Sequence, residues 1–90
     1  MARNSSGILL LETGGGSSTV TIDRTALVHN SRGLHVDGAN ATARIGDSTV
    51  TGNTLNGLII FNSGTIDSFG TNKVFGNGTD GAPNNTIPPI

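Results

Sequence analysis

A phrase that recurs about every 24 residues constrains this chain more than any other feature: an Asn, a Gly a few positions later, then an alternating apolar segment. It reads Asn4-Ser5-Ser6-Gly7-Ile8-Leu9-Leu10, then Asn30-Ser31-Arg32-Gly33-Leu34-His35-Val36. It returns as Asn53-Thr54-Leu55-Asn56-Gly57-Leu58-Ile59-Ile60 and stops at Asn77-Gly78-Thr79-Asp80-Gly81, with no apolar segment behind it. A period of this length is the mark of a solenoid, in which each repeat buries its apolar face only against its neighbours.

Setting the phrases one above another yields three strand sites per turn. At the first, Ile8 and Leu10 lie over Leu34 and Val36, which lie over Leu58 and Ile60. All are aliphatic, so this parity points into the core. At the second, Val20 and Ile22 align with Ala43 and Ile45, and less cleanly with Asp67 and Phe69. Either Ile66 enters there through a bulge or that rung is irregular. The third site holds Leu27, Val50 and Val74. Asn30, Asn53 and Asn77 mark a shared corner, where Asn tolerates left-handed backbone and its amide can pair with the Asn one coil away. Gly7, Gly33 and Gly57 are expected to permit the bend into the first strand.

Strands this short at this spacing must coil and stack in parallel, each coil adding about 4.8 Å. The expected fold is all-β: a short right-handed parallel β-helix of about three coils over residues 1–81, followed by an irregular Pro-containing tail over 82–90. That tail is a candidate cap, with Ile87 and Ile90 available to cover the last coil. The corners and the segments Asp47-Ser48-Thr49-Val50-Thr51-Gly52-Asn53 and Asn72-Lys73-Val74-Phe75-Gly76-Asn77 resemble those of the right-handed parallel β-helix, pectate-lyase-like superfamily. The resemblance covers roughly residues 4 to 81 and implies the fold. It implies no single activity, because that superfamily includes polysaccharide lyases and hydrolases, tail fibres and adhesin stalks. It also implies an extracellular or cell-surface setting for a full-length parent.

Composition excludes several function classes. Charged residues are 12% and net charge is −1, so the electrostatic footprint of a nucleic-acid binder is missing. Three Phe and no Trp or Tyr supply few stacking platforms. Without Cys there is no disulfide, thiolate site or thiol nucleophile. The longest apolar runs, Ile8 to Leu11 and Leu58 to Phe61, are too short for membrane insertion or for a signal-peptide core. The match Gly76-x-Gly78-x-x-Gly81 to a dinucleotide fingerprint lacks a following helix and reads as a turn.

The opposite parity of the first strand should be polar if that sheet faces water. It carries instead Leu9 and Leu11, His35 and Asp37, then Ile59 and Phe61. A contiguous apolar group on one outer face implies a buried contact. Leu9, Leu11, His35, Ile59 and Phe61 are therefore the candidate oligomer interface. His35 and Asp37 are also the candidate catalytic pair, since residues at i and i+2 of a strand share a face about 7 Å apart. The superfamily's lyases imply Asp-held Ca²⁺ and an arginine base, but none of its motifs maps residue by residue onto this chain. No cofactor or metal is expected. Arg24 and Asp47, equivalent in adjacent coils, are expected to pair. The expected function is a non-catalytic assembly module, a homo-oligomer joined through the apolar face or an open end. The competing class is a polysaccharide-binding or polysaccharide-degrading protein.

Overall fold

The computed structural model describes residues 4–12 and 14–87. Nine strands wind through three successive coils: β1 (Ser6–Leu11), β2 (Ser18–Asp23), β3 (Ala26–Val28), β4 (Arg32–Asp37), β5 (Ala41–Gly46), β6 (Thr49–Thr51), β7 (Asn56–Phe61), β8 (Thr65–Ser68) and β9 (Lys73–Phe75). A short tenth, β10 (Asn85–Thr86), follows. They form three sheets, ordered β1-β4-β7, β2-β5-β8-β10 and β3-β6-β9, and every pairing is parallel. The chain is a parallel β-solenoid of about three coils. Its extents, 34 × 31 × 18 Å, make it wider than it is tall.

The inward columns follow from the register. Ile8 pairs with Leu34 and Leu34 with Leu58, while Leu10 pairs with Val36 and Val36 with Ile60. Leu27, Val50 and Val74 stack on the third sheet. With Ile22, Ala43, Ile45 and Ile66 these residues close one continuous core. Ile66 stands opposite Ala43 and is fully buried, while Ser68 stands opposite Ile45. No bulge within the strand brings this about. The corner between β7 and β8 is one residue shorter, a tight turn in which Asn62 (φ 52°) and Ser63 (φ 65°) are both left-handed and Gly64 N–H donates to Phe61 O.

Two polar ladders run beside the apolar columns. Asn4 N–H donates to Asn30 Oδ1 (3.0 Å), Asn30 N–H to Asn53 Oδ1 (2.9 Å) and Asn53 N–H to Asn77 Oδ1 (3.0 Å). Asn53 Nδ2 donates to Leu27 O and to Asn77 Oδ1, and Asn77 Nδ2 to Val50 O. Each of these amides thus serves backbone groups of the coil before it. The ladder ends on Asp80, whose Oδ1 accepts from both N (3.1 Å) and Nδ2 (3.0 Å) of Asn77. A carboxylate only accepts, so it takes the place of the next amide without calling for another coil. At the second corner Thr25 N–H donates to Ser48 Oγ, and Ser48 N–H to Asn72 Oδ1.

Three sequence expectations are corrected by these contacts. Gly7, Gly33 and Gly57 do not make the bend, because none has positive φ; the left-handed residues are His29, Gly52 and Gly76, each directly before a corner Asn. The three glycines instead leave room for the amide. A Cβ on Gly7 would lie 2.9 Å from Asn30 Nδ2, and one on Gly57 2.7 Å from Asn77 Nδ2. Arg24 turns to Asp23 (3.6 Å) rather than to Asp47, with both partners solvated. The segment after Asp80 is not wholly irregular either. Asn84 N–H donates to Ile66 O and Ile87 N–H to Ser68 O, and β10 extends the second sheet beside β8. Ile87 is half-buried there, whereas Ile90 lies outside the described residues. A cavity of about 220 Å³ remains at this end, lined by Leu58, Ser68, Val74 and Pro83 among others.

Candidate functional site

The first sheet's outer face collects the residues singled out by parity. Leu9, His35 and Ile59 form one row across β1, β4 and β7, and Leu11, Asp37 and Phe61 form the next. Leu9, Leu11 and Phe61 expose 53%, 51% and 40% of their surface, which makes this band the largest apolar grouping on any one sheet among the described residues. Ser6, Arg32 and Asn56 make a third row, also outward.

Arg32 escapes the parity argument. Along β4 both Gly33 and Leu34 are buried, so strict alternation is broken and Arg32 emerges on the same face as His35 and Asp37. The three side chains and Phe61 then form one group. The Phe61 ring meets His35 edge-on, with centroids 5.0 Å apart and planes at 67°. The Arg32 guanidinium carbon stands 6.0 Å from the Phe61 centroid, at the outer limit of a cation–π contact. Phe61 is thus contacted from two sides while remaining exposed to solvent.

Polar satisfaction at this group is incomplete. Arg32 Nε and His35 Nε2 are buried from solvent with no hydrogen-bond partner. Asp37 Oδ1 accepts from Asn62 Nδ2 at 2.7 Å. Burial is the main cause of a His35 pKa below the ordinary value; the Arg32 charge adds to it and the Asp37 charge opposes it. His35 and Asp37 share the outer face without a hydrogen bond between them.

No protein-family model, curated protein or solved structure matches the chain. The described residues also contain no group of three or more His, Asp or Glu side chains arranged to hold a metal ion. What the face offers is an anchored aromatic ring, flanking aliphatic side chains and one charge of each sign.

The direction of the His35 shift sets a pH dependence. A depressed native pKa means the unfolded chain binds more protons below about pH 6.5. The stabilising contribution is therefore complete above that pH and is lost as pH falls through the native value. Thermal melts should show a lower midpoint at acid pH, and His35→Gln should flatten the profile. Arg32 and Asp37 are the charged groups on the same strand, and β1 and β7 bring Leu9, Ile59 and Phe61 against the ring. An unchanged slope in His35→Gln would assign the pH response to other groups.

Proposed function

We propose that this chain is a non-catalytic assembly module, a right-handed parallel β-helix of pectate-lyase-like type that associates with itself through the outer face of its first sheet. The observation that carries this reading is the exposure of Leu9, Leu11 and Phe61 on the outer face of one sheet, on the two strands that flank β4. Monomeric proteins rarely leave such a group uncovered, and aromatic residues already fixed in position lose little freedom when they anchor a contact. The side of the solenoid is bounded by 34 and 18 Å. That limits the contact to about 600 Å² per partner, the small end of specific interfaces. Association with a dissociation constant of about 1 μM or weaker is expected on that area, so its extent should depend on concentration.

Sedimentation velocity over a concentration series tests the proposal. Phe61→Glu should weaken association at least about tenfold by burying a charge at the contact. Phe75→Glu should leave it intact, because Phe75, although 54% exposed, lies on the third sheet. A monomer at every concentration, or equal association in Phe61→Glu, would overturn the reading. The competing reading, a polysaccharide-binding surface, predicts instead that the monomer is retained by an acidic polysaccharide, with or without Ca²⁺.

A further inference from the structure

Residues 79–87 imitate a fourth coil along part of its path. The Thr79 and Asp80 carbonyls accept from Gly57 and Leu58 N–H, as the strand of a following coil would. Asp80 Oδ1 accepts from Asn77 N–H, just as Asn77 Oδ1 accepts from Asn53 N–H one coil earlier. Asn84 N–H donates to Ile66 O, and its Oδ1 accepts from Ile66 N–H at 2.6 Å, so a side chain stands in for a strand carbonyl. Asn85 Nδ2 donates to Asp67 Oδ1 at 2.8 Å. Between these anchors the chain takes a short cut, because Gly81 to Asn84 spans what the coil before covers from Leu58 to Ile66. The short cut leaves the core underfilled. The cavity of about 220 Å³ lies there, between Ile45, Leu58, Val74 and Pro83.

The opposite end carries no such imitation among the described residues. β1, β2 and β3 each stand at the margin of their sheet, and Ile8, Leu10 and Val20 are partly buried. Because successive coils stack in one register, this end is the geometric complement of the last coil. Ile8, Val20 and Leu27 of a second copy would continue the columns that end in Leu58, Ile66 and Val74. Asn4 Oδ1 of that copy would receive the Asn77 N–H now taken by Asp80. Aliphatic side chains then meet on all three sheets, and they fall on the cavity. An uncapped repeat end is a ready template for such stacking.

We infer that residues 79–87 are a stop: a strap seated on the surface that would otherwise receive the N-terminal coil of a second copy of this chain. Displacing the strap lets copies stack head to tail. That contact is heterologous and repeats along the solenoid axis, so it builds an open filament. It goes beyond the first-sheet contact proposed above, which lies on the side of the solenoid and does not depend on it.

Gly81 offers a way to lift the strap. Its backbone is left-handed (φ 76°), and a Cβ there would collide with the Leu58 carbonyl oxygen. Gly81→Ala is best read in a Phe61→Glu parent, where the first-sheet contact is suppressed. In sedimentation its weight-average mass should rise with concentration to at least about twice that of the parent. Asn84→Ala with Asn85→Ala, which removes two side-chain anchors without a collision, should give the same rise.

Thr21→Pro separates stacking from unspecific aggregation. Ser18 and Arg24 N–H donate to the Asn40 and Gly46 carbonyls, so by alternation the Thr21 N–H points to the open margin. Its loss spares the native pairing, and a proline there blocks a strand that would dock. Added to Gly81→Ala, it should weaken stacking at least about tenfold. Parent molecules mixed in should shorten the stacks, because they add to an open seat and bring none of their own. Far-UV circular dichroism and melting establish that each variant is folded. Released variants that stay monomeric at every concentration, or association that neither Thr21→Pro nor added parent reduces, would overturn the stop. If Phe61→Glu leaves the original association unchanged, the first-sheet reading falls alone, and the stop is judged on the rise that Gly81→Ala adds.

Discussion

Asn53→Ala is expected to destabilise the fold by about 4 kcal/mol, roughly half the stability of a domain this size. Asn53 is 1% exposed and sits in the middle of the corner ladder. Its Oδ1 accepts from Asn30 N–H (2.9 Å), and its Nδ2 donates to Leu27 O (3.0 Å) and Asn77 Oδ1 (2.8 Å). Truncation removes all three bonds at once, and water cannot replace them at a site this enclosed. Losing the partner of a buried polar group costs about 1–3 kcal/mol each time, and the vacated volume adds a packing loss. Asn77→Ala should cost less, because that amide is partly exposed at the end of the stack and water can serve some of its partners. Thermal or urea unfolding of the two variants measures the order. Equal losses at Asn53 and Asn77 would mean that the ladder contributes little through burial.

The repeat made the coil number and inward columns readable, because side-chain parity and stacking both follow from spacing alone. Ile8, Leu34 and Leu58 needed no more than alignment. Arg32 was not readable in this way. Gly33 and Leu34 are buried in succession, and that local departure from alternation puts Arg32 outside beside His35. Spacing alone leaves two readings of Ile66, because the shortened turn at Asn62 and Ser63 depends on two consecutive left-handed residues, neither of them Gly. Asp80 carries no signal of its own in the sequence. Its role emerges only from the Asn77 N–H and Nδ2 groups that converge on it. The apolar outer face was legible from parity, whereas its charge pattern depended on the position of Arg32. Spacing therefore specifies the scaffold well, while the site depends on the places where regular spacing fails.

Gly33→Ala is expected to cost about 3 kcal/mol, although it adds a single methyl group. The backbone at Gly33 is not left-handed, so the penalty is steric and not conformational. A Cβ there would lie 2.6 Å from Gly57 O, 2.7 Å from Val50 Cγ1 and 3.0 Å from Asn53 Nδ2. The first contact is with backbone of the next coil, which cannot retreat without lengthening the stacking hydrogen bonds. The second is with a fully buried core side chain, and the third with the central ladder amide. Three constraints thus meet at one point, and relief of any one strains another. At Gly57 the corresponding neighbours are Asn77 Nδ2 (2.7 Å) and Asp80 O (2.9 Å), both in the terminal segment, which can shift more cheaply. Gly57→Ala should therefore be milder than Gly33→Ala. Gly15→Ala should be close to neutral, since no atom lies within 4 Å of the added carbon. Denaturant unfolding gives the ranking Gly33, Gly57, Gly15 in decreasing cost. A neutral Gly33→Ala would show that the coils separate easily, and the tight stacking of amide, glycine and carbonyl would then not be what holds this short solenoid together.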